Sequence, residues 1–192
     1  APMLLELGVY PDGKEMAESM GTFAAARSHL FKLRAADAPD AVALSSDDPR
    51  VTAVFVGDGS TPRTGALFAF RTSWRCISVD PAMRVDSTPW GAGHIERLEV
   101  HRAKIEELEF KLEGPVLVVL FHAHVSIAAV ERAVVALGGM AMIACPCCNF
   151  HDQQACLSGR PPDVEFEDNG IPSGRRTIRV WKCREGRGPA EA

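Results

Sequence analysis

Between residues 51 and 145 the chain alternates short apolar runs with segments of helical period. Val51–Val56, Arg75–Val79 and Ile95–Val100 predict strands, with Pro62–Thr72 helical between the first two and Lys104–Leu112 helical after the third. Val116–Phe121 and Met140–Cys145 are continuous apolar runs of the kind buried on both faces of a sheet. They bracket a helix predicted over Ser126–Leu137, with Ser126 as its N-cap and Gly138 as its stop. Upstream, Asp12-Gly-Lys-Glu15 has the form of a capping box before a helix expected from Lys14 to about Ala35. Met16, Met20, Phe23, Ala24 and Phe31 fall mostly on one stripe of that helix, with Lys14, Glu15, Glu18 and Lys32 largely off it. Residues 37–50 read as loop. Val164–Glu167 and Thr177–Cys183 read as two strands joined by a Gly- and Pro-bearing connection.

Strands separated by helices imply a doubly wound, mainly parallel α/β sheet with right-handed crossovers, closed by an antiparallel hairpin. The whole chain, 1–192, is expected to be one domain. Residues 1–50 are its N-terminal helix and loop, 51–183 a Rossmann-like core and 184–192 a tail. At 46 % hydrophobic it can bury a full core. The longest nearly apolar run, Ala133–Cys145, is broken by Gly138 and Gly139 and is too short to span a bilayer, so no membrane role is expected. No secretory leader is legible at the N-terminus, which opens Ala1-Pro2 without a methionine. Six cysteines, four of them within residues 145–156, make a poor disulfide framework and suit reduced thiols in an intracellular compartment, the cytoplasm first.

The chemistry starts at Val54-Phe-Val-Gly-Asp-Gly-Ser-Thr-Pro-Arg-Thr-Gly65, a strand that bends through glycines into a helix. Gly57 and Gly59 allow a tight turn and close approach of a ligand to the backbone. Thr61 suits an N-cap and Pro62 the first helical position. No Lys follows, so a P-loop is disfavoured. Asp80 stands 21 residues after Gly59, close to the roughly 20 expected for an acid that holds ribose hydroxyls. Both a nicotinamide dinucleotide and S-adenosylmethionine need such an acid. The third glycine of the dinucleotide fingerprint is missing, since the next one is Gly65.

Bend, helix start and acid together resemble the class I S-adenosylmethionine-dependent methyltransferases, over about Val51 to Cys183. The resemblance implies a sheet of about seven strands ending in an antiparallel hairpin. It also implies S-adenosylmethionine as cofactor, with Gly57-Asp58-Gly59 approaching its methionine part and Asp80 on its ribose. His101 or Arg102 stands where an acidic or amide residue often touches the adenine. The widespread Asn-Pro-Pro-aromatic motif of amino-group methylation is absent. Leu120-Phe-His-Ala-His-Val125 after the fourth strand of the core and Cys145-Pro-Cys-Cys148 after the fifth resemble a variant in tRNA 2′-O-methyltransferase-like proteins. Those carry His-x-Cys followed by glycine at the first position and a Cys-Cys pair at the second.

Three readings of these residues stay open. His122 or His124 could act as general base, imidazole titrating near neutrality. Cys145, Cys147, Cys148, His151 and Cys156 could hold zinc, although the Cys-x-Cys spacing is tighter than usual and no metal site is assigned. Otherwise the histidines bond backbone and the cysteines pack as small apolar residues. Net charge is −4, so nucleic acid would require a local basic patch. Arg175, Arg176, Arg179 and Lys182 on the closing hairpin offer one for RNA. A solvated edge strand guarded by its charges is the alternative. The function expected is methyl transfer from S-adenosylmethionine, with RNA as acceptor. The alternatives are a methyltransferase-fold module that binds a partner in a larger assembly and, third, a nicotinamide-dependent oxidoreductase.

Overall fold

Strands form where the apolar runs demand them. The structure is a computed structural model and describes residues 2–33, 40–86, 88, 90, 95–147 and 149–184. Its helices are α1 (Pro2–Glu6), α2 (Gly13–His29), α3 (Arg63–Arg71) and α4 (Ile127–Ala133). The strands are β1 (Thr52–Val56), β2 (Arg75–Val79), β3 (Leu98–His101), β4 (Phe110–Leu112), β5 (Val116–Phe121), β6 (Val134–Ala136), β7 (Met140–Cys145), β8 (Val164–Glu167) and β9 (Thr177–Arg184).

Seven strands make one sheet in the order β3-β2-β1-β5-β7-β9-β8, parallel except for β9, which pairs antiparallel with both neighbours. The expected architecture is therefore the observed one. The order in which strands are added reverses between β1 and β5, and this is the switch point where an open parallel sheet forms a crevice beyond the carboxyl ends of its strands. Alternate residues of β1 divide the core: Ala53 and Phe55 face the α1–α3 layer, Val54 and Val56 the α4 layer. On the first face Phe68 sits among the rings of Phe23, Phe55 and Trp74, with centroids 5.0, 5.0 and 5.9 Å away. Each such buried aromatic contributes roughly 1.5–3 kcal/mol.

Four expectations are corrected. Lys104–Leu112 is not a helix: Ile105–Glu107 makes a single 3₁₀ turn and Phe110–Leu112 becomes β4. Ser126–Leu137 is helical only to Ala133, because β-branched Val134 and Val135 leave the helix to pair with β4 as β6, a separate two-stranded parallel ribbon. Helix α2 stops at His29, where the Leu30 amide bonds Ala26 O at 2.8 Å and Phe31 turns in against Trp74; Ala35 lies outside the described residues.

The fourth correction concerns which face of α2 is inside. Met16 and Met20 are 38 % and 46 % exposed, whereas Glu18, Ser19, Gly21 and Thr22 are buried. The helix turns its apolar stripe partly outward because its first half rests on charged and hydroxyl groups of α3 rather than on the core.

Candidate cofactor and active site

All five parallel strands deliver their following residues to one edge. Gly57 follows β1, Asp80 follows β2, His101 ends β3, His122 follows β5 and Pro146 follows β7. Gly57 and Gly59 have φ of +73° and +89°, a left-handed geometry that suits glycine. Asp80, partly exposed, closes onto the bend. Its Oδ2 accepts the Gly59 amide at 2.9 Å and its Oδ1 the Ala82 amide at 2.7 Å.

Asp58 behaves otherwise. Its carboxylate is buried and turned into the start of α3, where it accepts the Thr64 and Gly65 amides at 3.0 Å each and the Ser78 hydroxyl at 2.8 Å. Burial raises its pKa, opposed by the Arg63 charge and these three hydrogen bonds. Asp58 thus replaces the expected Thr61 cap. The N-cap position is Pro62, with no side-chain cap bond of its own, and Thr61 Oγ1 is buried without a hydrogen-bond partner.

On the far side of the crevice His101 Nε2 lies 2.7 Å from Glu99 Oε1, and its ring meets Phe110 edge-on. Arg102 ties down the loop after β2, donating to Met83 O at 2.7 Å and to Asp86 at 2.8 Å. The turn after β5 holds both candidate histidines, and it separates them. His122 has φ +54°, turns inward, and sets Nε2 3.6 Å from Glu18 Oε1 and 3.9 Å from Cys145 Sγ. Burial lowers its pKa, more than the Glu18 carboxylate raises it, so the ring is held neutral. His124 is exposed and its ring lies parallel to that of Phe150, 5.5 Å between centroids.

Among the described residues the cysteines form no metal-ligating group. Cys145 and Cys183 are buried and Cys156 exposed, and burial pushes the Cys145 thiol up to about 12. Among the described residues no group of three or more His, Cys, Asp or Glu side chains could hold a metal ion; Cys148 lies outside them. No described helix is long and apolar enough to cross a membrane.

The basic hairpin is largely internal, because β9 is not an edge strand: β8 covers it. Arg179 is 5 % exposed. It donates to Glu165 at 2.7 Å, to the carbonyls of His151 and Gln154 at 2.8 and 2.9 Å, and to His151 Nε2 at 2.7 Å. Lys182 is buried too. Arg184 pairs with Asp40 and Asp163. Arg176 faces Glu167, and Arg175 is exposed, its carbonyl 3.5 Å from Cys145 Sγ.

Sequence reasoning missed four charged groups at the site. Arg63 lies over the bend, its side chain 10 % exposed, 3.0 Å from Glu15 and 3.8 Å from Glu18 of α2. Lys14 also reaches Glu18, at 3.2 Å. The one available signal was the i, i+3 spacing of Glu15 and Glu18, which puts both carboxylates on one side of α2.

Sheet order, glycine bend and acid after β2 together define a Rossmann-like fold, a seven-stranded sheet closed by an antiparallel hairpin. No protein-family profile and no curated protein matches the sequence. Solved structures do match. A phosphoethanolamine N-methyltransferase of Haemonchus contortus, in complex with phosphoethanolamine and S-adenosylhomocysteine, covers 93 % of this chain at 10 % identity and TM-score 0.48; this chain spans 44 % of it. An RNA methyltransferase of Salinibacter ruber in complex with S-adenosylhomocysteine covers 76 % of this chain, and 88 % of it is covered, at 14 % identity and TM-score 0.47. A 16S rRNA adenine methyltransferase of Catenulisporales acidiphilia with S-adenosylmethionine covers 73 %, with 86 % of its own length, at 15 % identity and TM-score 0.42.

Proposed function

We propose that this protein binds S-adenosylmethionine in the crevice at the β1/β5 switch point and transfers its methyl group to RNA. The observation that carries the cofactor reading is the Asp80 carboxylate closed onto the Gly59 amide. Each Asp80 oxygen accepts one backbone N–H, and a carboxylate oxygen has a second lone pair to offer a ribose hydroxyl. The ribose end therefore fits the residues present. The methionine end fits less freely, because Arg63 stands over Gly59.

When bound, the cofactor would supply an activated methyl group. What the chain must then provide is alignment of an acceptor, and a base where that acceptor loses a proton. His124 is the exposed imidazole at the crevice, and His122, held neutral, lies one turn position deeper. Support for RNA is the His124–Phe150 pair, whose flat faces suit a nucleobase, and exposed Arg175, whose carbonyl meets Cys145 at the end of β7, for a phosphate.

A second reading, a methyltransferase-fold module that binds a partner without catalysis, is favoured by one observation. The space enclosed by Gly57, Asp58, Arg63, Glu18 and Phe121 is only about 10 Å³. Calorimetric titration with S-adenosylmethionine and S-adenosylhomocysteine, with NAD as control, separates the two. The first reading expects micromolar binding of both sulfur compounds, weakened at least about tenfold by Asp80→Ala. Silence toward both, in folded protein, would leave the module.

A further inference from the structure

Glycines in such a bend leave room beside the backbone, and here the chain fills that room with its own atoms. A Cβ at Gly57 would meet Ala123 Cβ at 2.7 Å, and one at Gly59 would run into the Arg63 guanidinium. The two obstructions differ. Ala123 belongs to the turn after β5, and its carbonyl is fixed by buried Gln154 at 2.9 Å. Arg63 approaches with the far end of a flexible side chain. It is held by carboxylates of another element, Glu15 at 3.0 Å and Glu18 at 3.8 Å.

The clamp is incomplete. Glu15 Oε2 and Thr61 Oγ1 are buried without a hydrogen-bond partner, and Glu18 Oε1 is turned to Lys14 Nζ at 3.2 Å and His122 Nε2 at 3.6 Å rather than to Arg63. The helix that carries the two carboxylates is unevenly anchored. Ala25 and Ala26 in its second half are within the core, whereas its first half meets α3 through the Arg63 ion pairs and a Ser19–Thr64 hydroxyl contact at 3.2 Å. An interface made of charges and half-satisfied acceptors opens more readily than an apolar one. The space it encloses admits one water at most.

We propose that the Arg63 guanidinium is a displaceable plug of the glycine bend, clamped by Glu15 and Glu18 of α2, and that a ligand seats its methionine end only by driving it out. This rests on the cofactor reading above and adds a gate to it. The apparent affinity is then the intrinsic affinity reduced by the fraction of molecules in which the plug is withdrawn. The opposite role, Arg63 as the partner of the ligand's carboxylate, predicts effects of opposite sign.

The test is titration with S-adenosylhomocysteine over about 50 to 500 mM NaCl, in wild type, Glu15→Gln and Arg63→Ala. Salt screens the clamp, so wild-type affinity should rise with ionic strength. Glu15→Gln should bind about two- to fivefold tighter at low salt, the range a partly exposed ion pair spans, with a flatter salt profile. Arg63→Ala should bind about tenfold tighter or more, and binding by this variant alone would equally establish the plug. Wild-type affinity that falls with salt, or weaker binding by Arg63→Ala, makes Arg63 a ligand contact and overturns the plug. Unchanged affinity throughout overturns it as well. No binding by folded wild type and folded Arg63→Ala overturns the cofactor reading, and the plug with it. If Arg63→Ala does not fold, the wild-type salt series and Glu15→Gln decide alone.

Discussion

Asp58→Ala should unfold this protein more easily without being a site mutation in the ordinary sense. The carboxylate receives two amides from the first turn of α3 and one hydroxyl from β2, all at 2.8–3.0 Å and all buried. Charge-assisted bonds of this kind contribute roughly 1.5–3 kcal/mol each, set against a desolvation cost of several kcal/mol for the carboxylate itself. Truncation leaves three donors behind, at about 1–3 kcal/mol each where water cannot reach, and the Ser78 hydroxyl can rotate to another acceptor. The net loss expected is about 3–4 kcal/mol, or about 10 °C in Tm for a domain of this size. Urea unfolding followed by tryptophan fluorescence measures it, since Trp74 and Trp181 are fully buried reporters. Asp80→Ala, which removes two bonds from a partly exposed carboxylate, should cost only about 1 kcal/mol. An Asp58→Ala protein within about 1 kcal/mol of wild type would refute the reasoning. So would one of full stability that had lost affinity for S-adenosylhomocysteine, since Asp58 would then act on the ligand.

Three further outcomes are expected. Arg179→Ala should destabilise by about 2–4 kcal/mol through the buried carbonyls and carboxylate it abandons, whereas Arg175→Ala should leave stability unchanged; equal effects in urea melts would contradict the placement of β9. His122 has a folded pKa below its ordinary 6.5, so the unfolded chain takes up its proton first and stability falls as pH drops below 6.5 toward the folded value. Tm measured between about pH 5 and 7.5 should therefore decline less steeply in His122→Asn than in wild type, and parallel profiles would count against a buried neutral ring. Gly59→Ala should lose both stability, from its φ of +89°, and ligand affinity, from further crowding beside Arg63; retained affinity would mean no ligand nears the bend.

What the sequence showed and what it hid divide along physical lines. Continuous apolar runs announced β5 and β7, and the spacing of Gly59 and Asp80 announced an acid at the end of the second strand, though not its bond to the Gly59 amide. Local periodicity could not show that Val134 would leave a helix, because its reason is a ladder with residues 110–112, distant in sequence. Nor could it show which side of α2 faces inward. The methionines made the better apolar stripe, but the interior they would have met is a guanidinium, so Glu18 took the inner place. Charge on the hairpin was legible, and its destination was not. Whether Arg179 meets solvent or Glu165 depends on β8 lying outside β9, which composition does not encode.

The place of β9 has a consequence for synthesis. Residues 177–184 are made after every other described strand of this sheet, yet they lie inside it between β7 and β8, and Arg184 also bridges back to Ala41. Until they emerge from the ribosome, β7 presents six apolar residues along a bare edge, the form most prone to pairing with another nascent chain. The sheet therefore closes late, by capture of a distant segment rather than by growth from one end. Capture of so distant a segment raises the contact order of the fold, so closure of the sheet should be its slow step.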